Sequence, residues 1–133
     1  MSKFITSYFI SLTLLVSLDV LWWGVIAKSF YVKQIGFLMA DKFNWLAALL
    51  FYLVFILGLS VFVVWPNLQT GNIGKAFLLG AFFGLVAVAT YDLTSQALVK
   101  NWPYLVTIVD IAWGSVLAGF TSAATVYIML LIK

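Results

Sequence analysis

Long apolar runs alternate with short polar segments along the whole chain, and this pattern predicts helices that cross a membrane. Four runs have about the 20 mainly apolar residues that an α-helix needs to span a bilayer. They cover residues 4–27, 45–64, 76–97 and 104–132. No run has the charged outer face of a helix in a water-soluble bundle. The pattern therefore predicts an all-α integral membrane four-helix bundle that forms a single domain, residues 1–133.

The polar segments between the runs predict how the spans are connected. Residues 28–44 mix three lysines with aromatic and aliphatic side chains, which is typical of an amphipathic segment at the membrane interface. Pro66 is expected to end the second span, and residues 67–75 are expected to form a loop because they are rich in Gly, Asn and Thr. Residues 100–103 predict a tight turn before the fourth span.

Composition excludes several classes of function. Of the 133 residues, 65% are hydrophobic and only 8% are charged, which is too few charges to cover a water-soluble fold. The chain has neither Cys nor His, so we expect no thiolate or imidazole metal site, no haem and no nucleophilic thiol. Its basic residues are single, scattered lysines, which argues against nucleic-acid binding. We therefore expect no cofactor and no metal, and we expect membrane lipids as partners.

Four spans place both chain ends on one side of the membrane, side A, and residues 28–44 and 100–103 on the other, side B. Three lysines fall on side A and four on side B, and the N-terminal amine adds to side A. This balance does not set the orientation by the positive-inside rule. Two alternatives remain open, a fixed orientation that the lysines do not reveal and insertion in both orientations.

Three of the four acidic residues, Asp19, Asp92 and Asp110, lie within the apolar runs. A carboxylate at mid-membrane costs about 2.5–3.5 kcal/mol on insertion scales, so such residues face the bundle interior, a water-filled pocket or a partner. At ~1.5 Å per residue the three lie roughly 5, 8 and 10 Å from the middle of their spans. Because the fourth span runs opposite to the first and third, all three displacements point to side B. The sequence therefore predicts one acidic site near side B.

Hydrogen-bond donors and aromatic rings accompany these acids at helical spacing. Indole N–H and hydroxyl groups can bind a carboxylate or a polar ligand, and the rings supply an apolar wall. Trp22, Trp23 and Trp113 fit either this pocket or an interfacial belt, whereas Trp45, Trp65 and Trp102 are expected in the belt. The candidate ligand-binding or proton-coupled residues are Asp19, Asp92, Asp110, Trp22, Trp113, Tyr91, Thr94 and Asn101.

Small residues predict which spans pack most closely. Gly80 and Gly84 form a G-x-x-x-G spacing on the third span, and Gly114, Ala118 and Gly119 lie on the fourth. Small residues let helix backbones approach each other in a membrane. The third and fourth spans are therefore expected to form a tight pair that frames the site.

A purely structural role for the three acids is the alternative to a ligand site. The carboxylates could reach the interface, cap helix ends and hydrogen-bond Trp and Thr side chains to hold the bundle together. The convergence of the three acids on one side, and the lack of a basic residue deep in the spans to pair with them, favour a functional site.

The chain resembles a family of small bacterial membrane proteins catalogued as domain of unknown function 2177. The resemblance rests on ATYDLT (89–94), NWP (101–103) and DIAWG (110–114), together with LDVLW (18–22) and AKSFY (27–31). It covers essentially the whole chain and implies a multi-pass, four-span protein of the bacterial inner membrane, without implying an activity. Residues that match the family pattern are Asp19, Trp22, Tyr31, Asn44, Tyr91, Asp92, Thr94, Trp102, Pro103, Asp110, Trp113 and Gly114. Ser95 and Gln96 depart from it, where an Asn and then an apolar residue are expected.

Three functions are compatible with these features. The first is a protein, monomeric or homodimeric, that binds or transports a cation or a small lipophilic ligand, with protonation of the acids coupled to release. The second is an intramembrane enzyme that acts on a lipid or isoprenoid with an Asp as general acid. The third is a non-catalytic assembly partner of another membrane protein. We favour the first because buried acids in a chain this small suit a ligand site.

Overall fold

The computed structural model describes residues 2–132, which are mostly helical and contain no β-strand. Within this range, four helices are long and apolar enough to cross a membrane, and they form the predicted all-α bundle. Met1 and Lys133, both assigned to side A, lie outside the described residues. The helices are α1 (Ser2–Leu21), α2 (Lys28–Ile35), α3 (Trp45–Leu59), α4 (Trp65–Thr70), α5 (Ile73–Leu98) and α6 (Tyr104–Leu131). Wider π-helical turns follow α1 (Trp22–Ile26) and join α3 to α4 (Ser60–Val64), and a 3₁₀ turn (Gly36–Leu38) follows α2.

The second span does not end at Pro66, and this corrects the expectation from sequence. The helix continues through α4 to Thr70, so the second span is Trp45–Thr70. Proline lacks an amide hydrogen and its ring clashes with the carbonyl four residues earlier, but the wide turn at Ser60–Val64 precedes it and relaxes the backbone there. The Asn67 amide also donates to the Val63 carbonyl over 2.8 Å.

The predicted loop of residues 67–75 is correspondingly short. Only Gly71 and Asn72 separate α4 from α5. Gly71 has φ +68°, a left-handed conformation that glycine adopts without steric cost and that ends the helix. The Asn72 side chain then accepts a hydrogen bond from the Lys75 amide over 2.9 Å and caps α5. The second and third spans are thus joined by a two-residue connection.

Helices α5 and α6 form the tight pair that the small residues predict. A Cβ atom added at Gly84 would lie 2.2 Å from the Gly114 carbonyl oxygen, and one at Gly114 would lie 2.4 Å from Cγ2 of Val88. A Cβ at Gly80 would lie 2.5 Å from the Ser122 hydroxyl oxygen. Since real Cβ atoms do not approach neighbours this closely, the backbones meet only because these positions are glycine.

Helix α1 packs against α6 and the second span through every fourth residue. Its buried positions are Ser7, Ser11, Leu15 and Asp19. The Ser11 hydroxyl donates to the Thr125 hydroxyl oxygen over 2.9 Å. Lipid tails are as apolar as leucine, so helices in a membrane associate through close packing and such polar contacts. This stripe carries Asp19 into the bundle interior.

The segment between the first two spans is amphipathic, as predicted. Lys28 and Lys33 of α2 are exposed, whereas the Tyr31 side chain is only 1% exposed. Tyr31 packs with Ala27 and with Val106 at the start of α6. Helix α2 therefore lies against the side-B end of the bundle.

Candidate functional site

A pocket of about 290 Å³ near side B contains all three acids of the spans. It lies between α1, α3, α5 and α6, and its walls are mainly apolar. Its lining residues are Leu15, Asp19, Trp23, Phe51, Phe55, Ala87, Val88, Tyr91, Asp92, Asp110, Trp113, Gly114 and Leu117. The structure thus brings together acids from three helices, as their calculated displacements toward side B predict.

Asp19 is held by two hydrogen bonds from two other spans. The Tyr52 hydroxyl on α3 donates to Asp19 Oδ2 over 2.6 Å. The Trp113 indole N–H on α6 donates to Asp19 Oδ1 over 3.0 Å. Each carboxylate oxygen therefore has a donor, and the side chain ties three spans together.

Asp110 accepts a hydrogen bond from the Tyr31 hydroxyl on α2. Tyr31 in turn accepts one from the Trp22 indole N–H over 3.2 Å. Burial, and next the hydrogen bond to Asp110, raise the pKa of the Tyr31 hydroxyl well above its ordinary value of 10.0. Tyr31 therefore stays neutral at physiological pH and keeps its hydrogen available for Asp110.

Asp92 differs from the other two acids because no donor group hydrogen-bonds to it. Neither of its carboxylate oxygens accepts a hydrogen bond from a donor in residues 2–132, the side chain is 0% exposed, and the polar group beside it is the Asp110 carboxyl. A buried polar group without a partner costs about 1–3 kcal/mol, and more when it is charged. Asp92 therefore has the free hydrogen-bonding capacity that a ligand or a bound proton can use.

Stacked aromatic rings form one side of the site. The Trp22 and Trp113 rings have centroids 4.4 Å apart and planes within 9° of parallel. The Trp23 and Tyr31 rings stack with centroids 3.8 Å apart and planes 23° apart. These contacts fix the indole and phenol groups that donate to Asp19 and Asp110, so the donors are oriented before any ligand arrives.

The remaining predicted site residues divide into two groups. Tyr91 lines the pocket but is 64% exposed, so it lies at the opening, and Trp22 supports the site from behind Tyr31 and Trp113. Thr94 is exposed and does not line the pocket. Asn101 is also outside it, with φ +63° in the turn before α6, a conformation that Asn tolerates better than most residues.

Sequence reasoning missed Tyr52 as part of the site. Apart from the Trp45 indole, its hydroxyl is the only side-chain hydrogen-bonding group in α3. That isolation within an apolar helix is a signal that could have identified it, because a buried phenol hydroxyl usually has a partner. Tyr31 was noted only as part of the family pattern, and its contact with Asp110 arises from the fold of α2.

Gln96 also has a role that the sequence did not suggest. Its amide donates to the Trp102 carbonyl over 2.7 Å and its oxygen accepts from the Thr107 hydroxyl over 2.9 Å. The Trp102 indole N–H donates to the Thr107 hydroxyl oxygen over 3.1 Å. This network holds the turn between α5 and α6, so the departure from the family pattern at Gln96 is structurally accommodated.

A larger cleft of about 640 Å³ lies near side A, between Lys3, Trp65 and Thr70. None of the described residues that line it is acidic, and it lies away from the acids. Its size therefore does not make it the better candidate, since function follows the chemistry of the lining residues.

The helices and the acidic pocket define a small multi-pass membrane protein. A family model described as "Predicted membrane protein (DUF2177)" matches residues 4–127, and the chain belongs to this family. The match covers nearly the whole chain and confirms the resemblance identified from its motifs. Neither a curated protein nor a solved structure matches the chain.

Proposed function

We propose that this protein binds a small organic cation in the acidic pocket, within the bacterial inner membrane, as a binding or transport protein. The observation that carries the proposal is Asp92, a buried carboxyl group in a pocket, with the Asp110 carboxyl beside it and no hydrogen-bond donor for either oxygen. A cation there would supply the missing hydrogen bonds and the missing charge.

The shape and lining of the pocket favour an organic cation over a metal ion. Within residues 2–132 the acids do not form a group that could hold a metal ion. Most lining residues are apolar, and Tyr91 and Trp113 offer aromatic faces. Aromatic faces attract organic cations, and apolar walls suit the carbon atoms of such a ligand. A protonated amine fits both features.

Competition between a proton and the ligand provides the coupling that transport needs. Asp92 and Asp110 line the same pocket, and two carboxylates in an apolar site repel each other unless a proton or a cation lies between them. A proton on Asp92 removes the charge that attracts the cation. Exchange of proton and cation would then load and release the ligand.

Hexylamine, which is protonated at neutral pH, tests the proposal. Native mass spectrometry of the protein from lipid nanodiscs should show one bound hexylamine, and Asp92→Asn should bind it at least about tenfold more weakly, a loss of about 1.4 kcal/mol. Asp41→Asn removes an exposed carboxyl outside the pocket and should bind hexylamine like the native protein. Hexanol, the uncharged analogue, should bind poorly.

Two results would overturn the proposal. One is equal binding of hexylamine by the native protein and Asp92→Asn. The other is equal binding of hexanol and hexylamine by the native protein, because this would show that the pocket recognises the chain and not the charge.

A second candidate function is that of an intramembrane enzyme acting on a lipid or isoprenoid. It is favoured by the contrast between Asp19, which accepts two hydrogen bonds, and Asp92, which accepts none. Two carboxyl groups in such different surroundings can hold different protonation states, as a general acid beside an ionised carboxylate requires. A lipid product made by cells with the native protein and with Asp41→Asn, but not with Asp92→Asn, would support it. Identical lipid profiles would exclude it.

A further inference from the structure

One wall of the acidic pocket is incomplete between α3 and α5. Helix α5 approaches the second span most closely at the turn Ser60–Val64, beyond the side-A end of α3. Near that point the Phe55 and Phe83 rings pack with centroids 5.4 Å apart, and Phe83 lies against Gly58. Closer to side B, the aromatic rings on the same two helices are exposed. Phe51 on α3 is 53% exposed, and Tyr91 on α5 is 64% exposed. Both line the pocket, so its open side lies between them.

This opening lies deeper in the membrane than the side-B ends of α3 and α5, the helices that border it. Phe51 is six residues after Trp45, where α3 begins, and Tyr91 is seven residues before Leu98, where α5 ends. At ~1.5 Å per residue, both positions are about 10 Å inside the bundle along the helices. The hydrocarbon core of a bilayer is about 30 Å thick, so an opening at this depth faces acyl chains and not water.

The side-B end of the bundle is occupied by α2. Tyr31 is buried there between Trp22 and Asp110, and Trp23 stacks on its ring. Helix α2 therefore lies where a ligand from the water on side B would have to enter. The gap between α3 and α5 is the more open route.

We infer that the pocket takes its ligand sideways from the membrane, and that the ligand is a single-chain amphiphilic amine. The inference rests on the proposed function, since it places the ammonium group at Asp92. The hydrocarbon chain leaves between Phe51 and Tyr91 into the surrounding lipid. A pocket of about 290 Å³ is at the small end of ligand sites and holds the amine and its first carbon atoms, while the rest of the chain stays outside.

A series of amines of increasing chain length tests this route. Butylamine, octylamine and dodecylamine are titrated against the protein in nanodiscs, with Kd expressed relative to the free aqueous amine. A laterally open site should bind dodecylamine at least a hundredfold more tightly than butylamine, because the chain outside the pocket also leaves water. A pocket closed to lipid should instead exclude the long chain.

Substitution at Ala87 tests the position of the opening. Ala87 lines the pocket on α5, and Ala87→Phe should fill the gap, weakening dodecylamine binding at least tenfold and weakening it more than butylamine binding. Ala97→Phe places the same ring on an exposed position of α5 outside the pocket and should leave both affinities unchanged. If Ala87→Phe weakens both amines equally, a dodecylamine with a photoreactive group near the middle of its chain decides. Labelling of α3 or α5 near Phe51 and Tyr91 supports the route, and labelling confined to α2 overturns it.

The outcomes separate this inference from the proposed function. Binding of butylamine that depends on Asp92, with no gain from the longer chain, overturns lateral entry and leaves the cation site intact. Absence of Asp92-dependent binding at every chain length overturns the proposed function and the lateral route together.

Discussion

Tyr52 donates its hydroxyl hydrogen to Asp19 over 2.6 Å and so links the second span to the first. This contact joins the most apolar of the four spans, whose most apolar 18 residues have mean hydropathy 2.8, to an acid that would otherwise have a single donor. Polar contacts of this kind between membrane helices contribute about 0.6–2 kcal/mol each. The pair therefore stabilises the bundle and positions Asp19 at the pocket.

Removal of the Tyr52 hydroxyl should destabilise the protein measurably. Tyr52→Phe leaves one oxygen of Asp19 without a donor, and we expect the free energy of unfolding to fall by about 1–2 kcal/mol. Unfolding by SDS titration from mixed micelles measures this change. The matched control is Tyr127→Phe, because Tyr127 is 53% exposed and makes no side-chain hydrogen bond in the described part of the chain. An equal loss in both variants would contradict the structural role of the pair.

Close approach of α5 and α6 should make Gly84 intolerant of even one added carbon. Gly84→Ala would place Cβ 2.2 Å from the Gly114 carbonyl oxygen, which is backbone and cannot rotate away. We expect a loss of about 1–3 kcal/mol in the free energy of unfolding as the helices separate. Gly24→Ala is the control, since a Cβ there meets no atom within 4 Å. Equal stability of the two variants would show that the helices are not in contact at Gly84.

The hydrogen-bond network of the side-B turn should depend on Thr107 and not on Thr94. Thr107→Val removes the hydroxyl that joins Gln96 to Trp102, with an expected cost of about 1 kcal/mol. The amides of the turn at residues 99–102 should exchange hydrogen faster as the network loosens. Thr94→Val changes an exposed residue of α5 and should leave exchange in the turn unchanged. Unchanged exchange in Thr107→Val would rule out the network.

Docking of α2 should show a pH dependence that belongs to Tyr31. An unfolded tyrosine ionises near pH 10, whereas burial and the Asp110 hydrogen bond keep the pKa of Tyr31 higher in the folded protein. The stability that this difference contributes is complete below pH 10 and is lost as the pH rises above that value, at a limiting slope of about 1.4 kcal/mol per pH unit.

Comparison with Tyr31→Phe isolates this effect from the ionisation of lysines. The native protein should lose stability more steeply than Tyr31→Phe between pH 10 and 11.5, in unfolding titrations at half-unit steps. Parallel profiles above pH 10 would mean that Tyr31 is not held neutral by its surroundings.

The broad architecture could be predicted because it depends on composition and length. A run of 20 apolar residues has few alternatives to a membrane span, and a helix advances by a fixed rise per residue. The same rise per residue predicts that Asp19, Asp92 and Asp110 lie at a similar depth near side B, and the structure finds them in one pocket. The glycines of α5 and α6 also predict that these two helices pack closely, because only small residues allow two helix backbones to approach each other so nearly.

Which face of each helix points inward could not be predicted from apolar patterning. Lipid-facing and buried positions are both apolar in a membrane, so hydrophobicity does not distinguish the exposed Thr94 from the buried Thr107. The continuation of the helix past Pro66 depends on the wide turn at Ser60–Val64, which no residue type specifies. The roles of Tyr31 and Tyr52 depend on contacts between segments 79 and 33 residues apart.

The two-residue connection at Gly71 and Asn72 also bears on how the chain enters the bilayer during synthesis. It makes the second and third spans a helical hairpin, in which an uncharged and strongly apolar helix is tethered to a less apolar one that carries Asp92. A carboxylate entering alone costs about 2.5–3.5 kcal/mol at mid-membrane, and the apolar partner can offset this when both arms of the hairpin insert together. Lengthening this connection with flexible residues should therefore lower the yield of inserted protein, at lengths that leave the fold of the inserted protein unchanged.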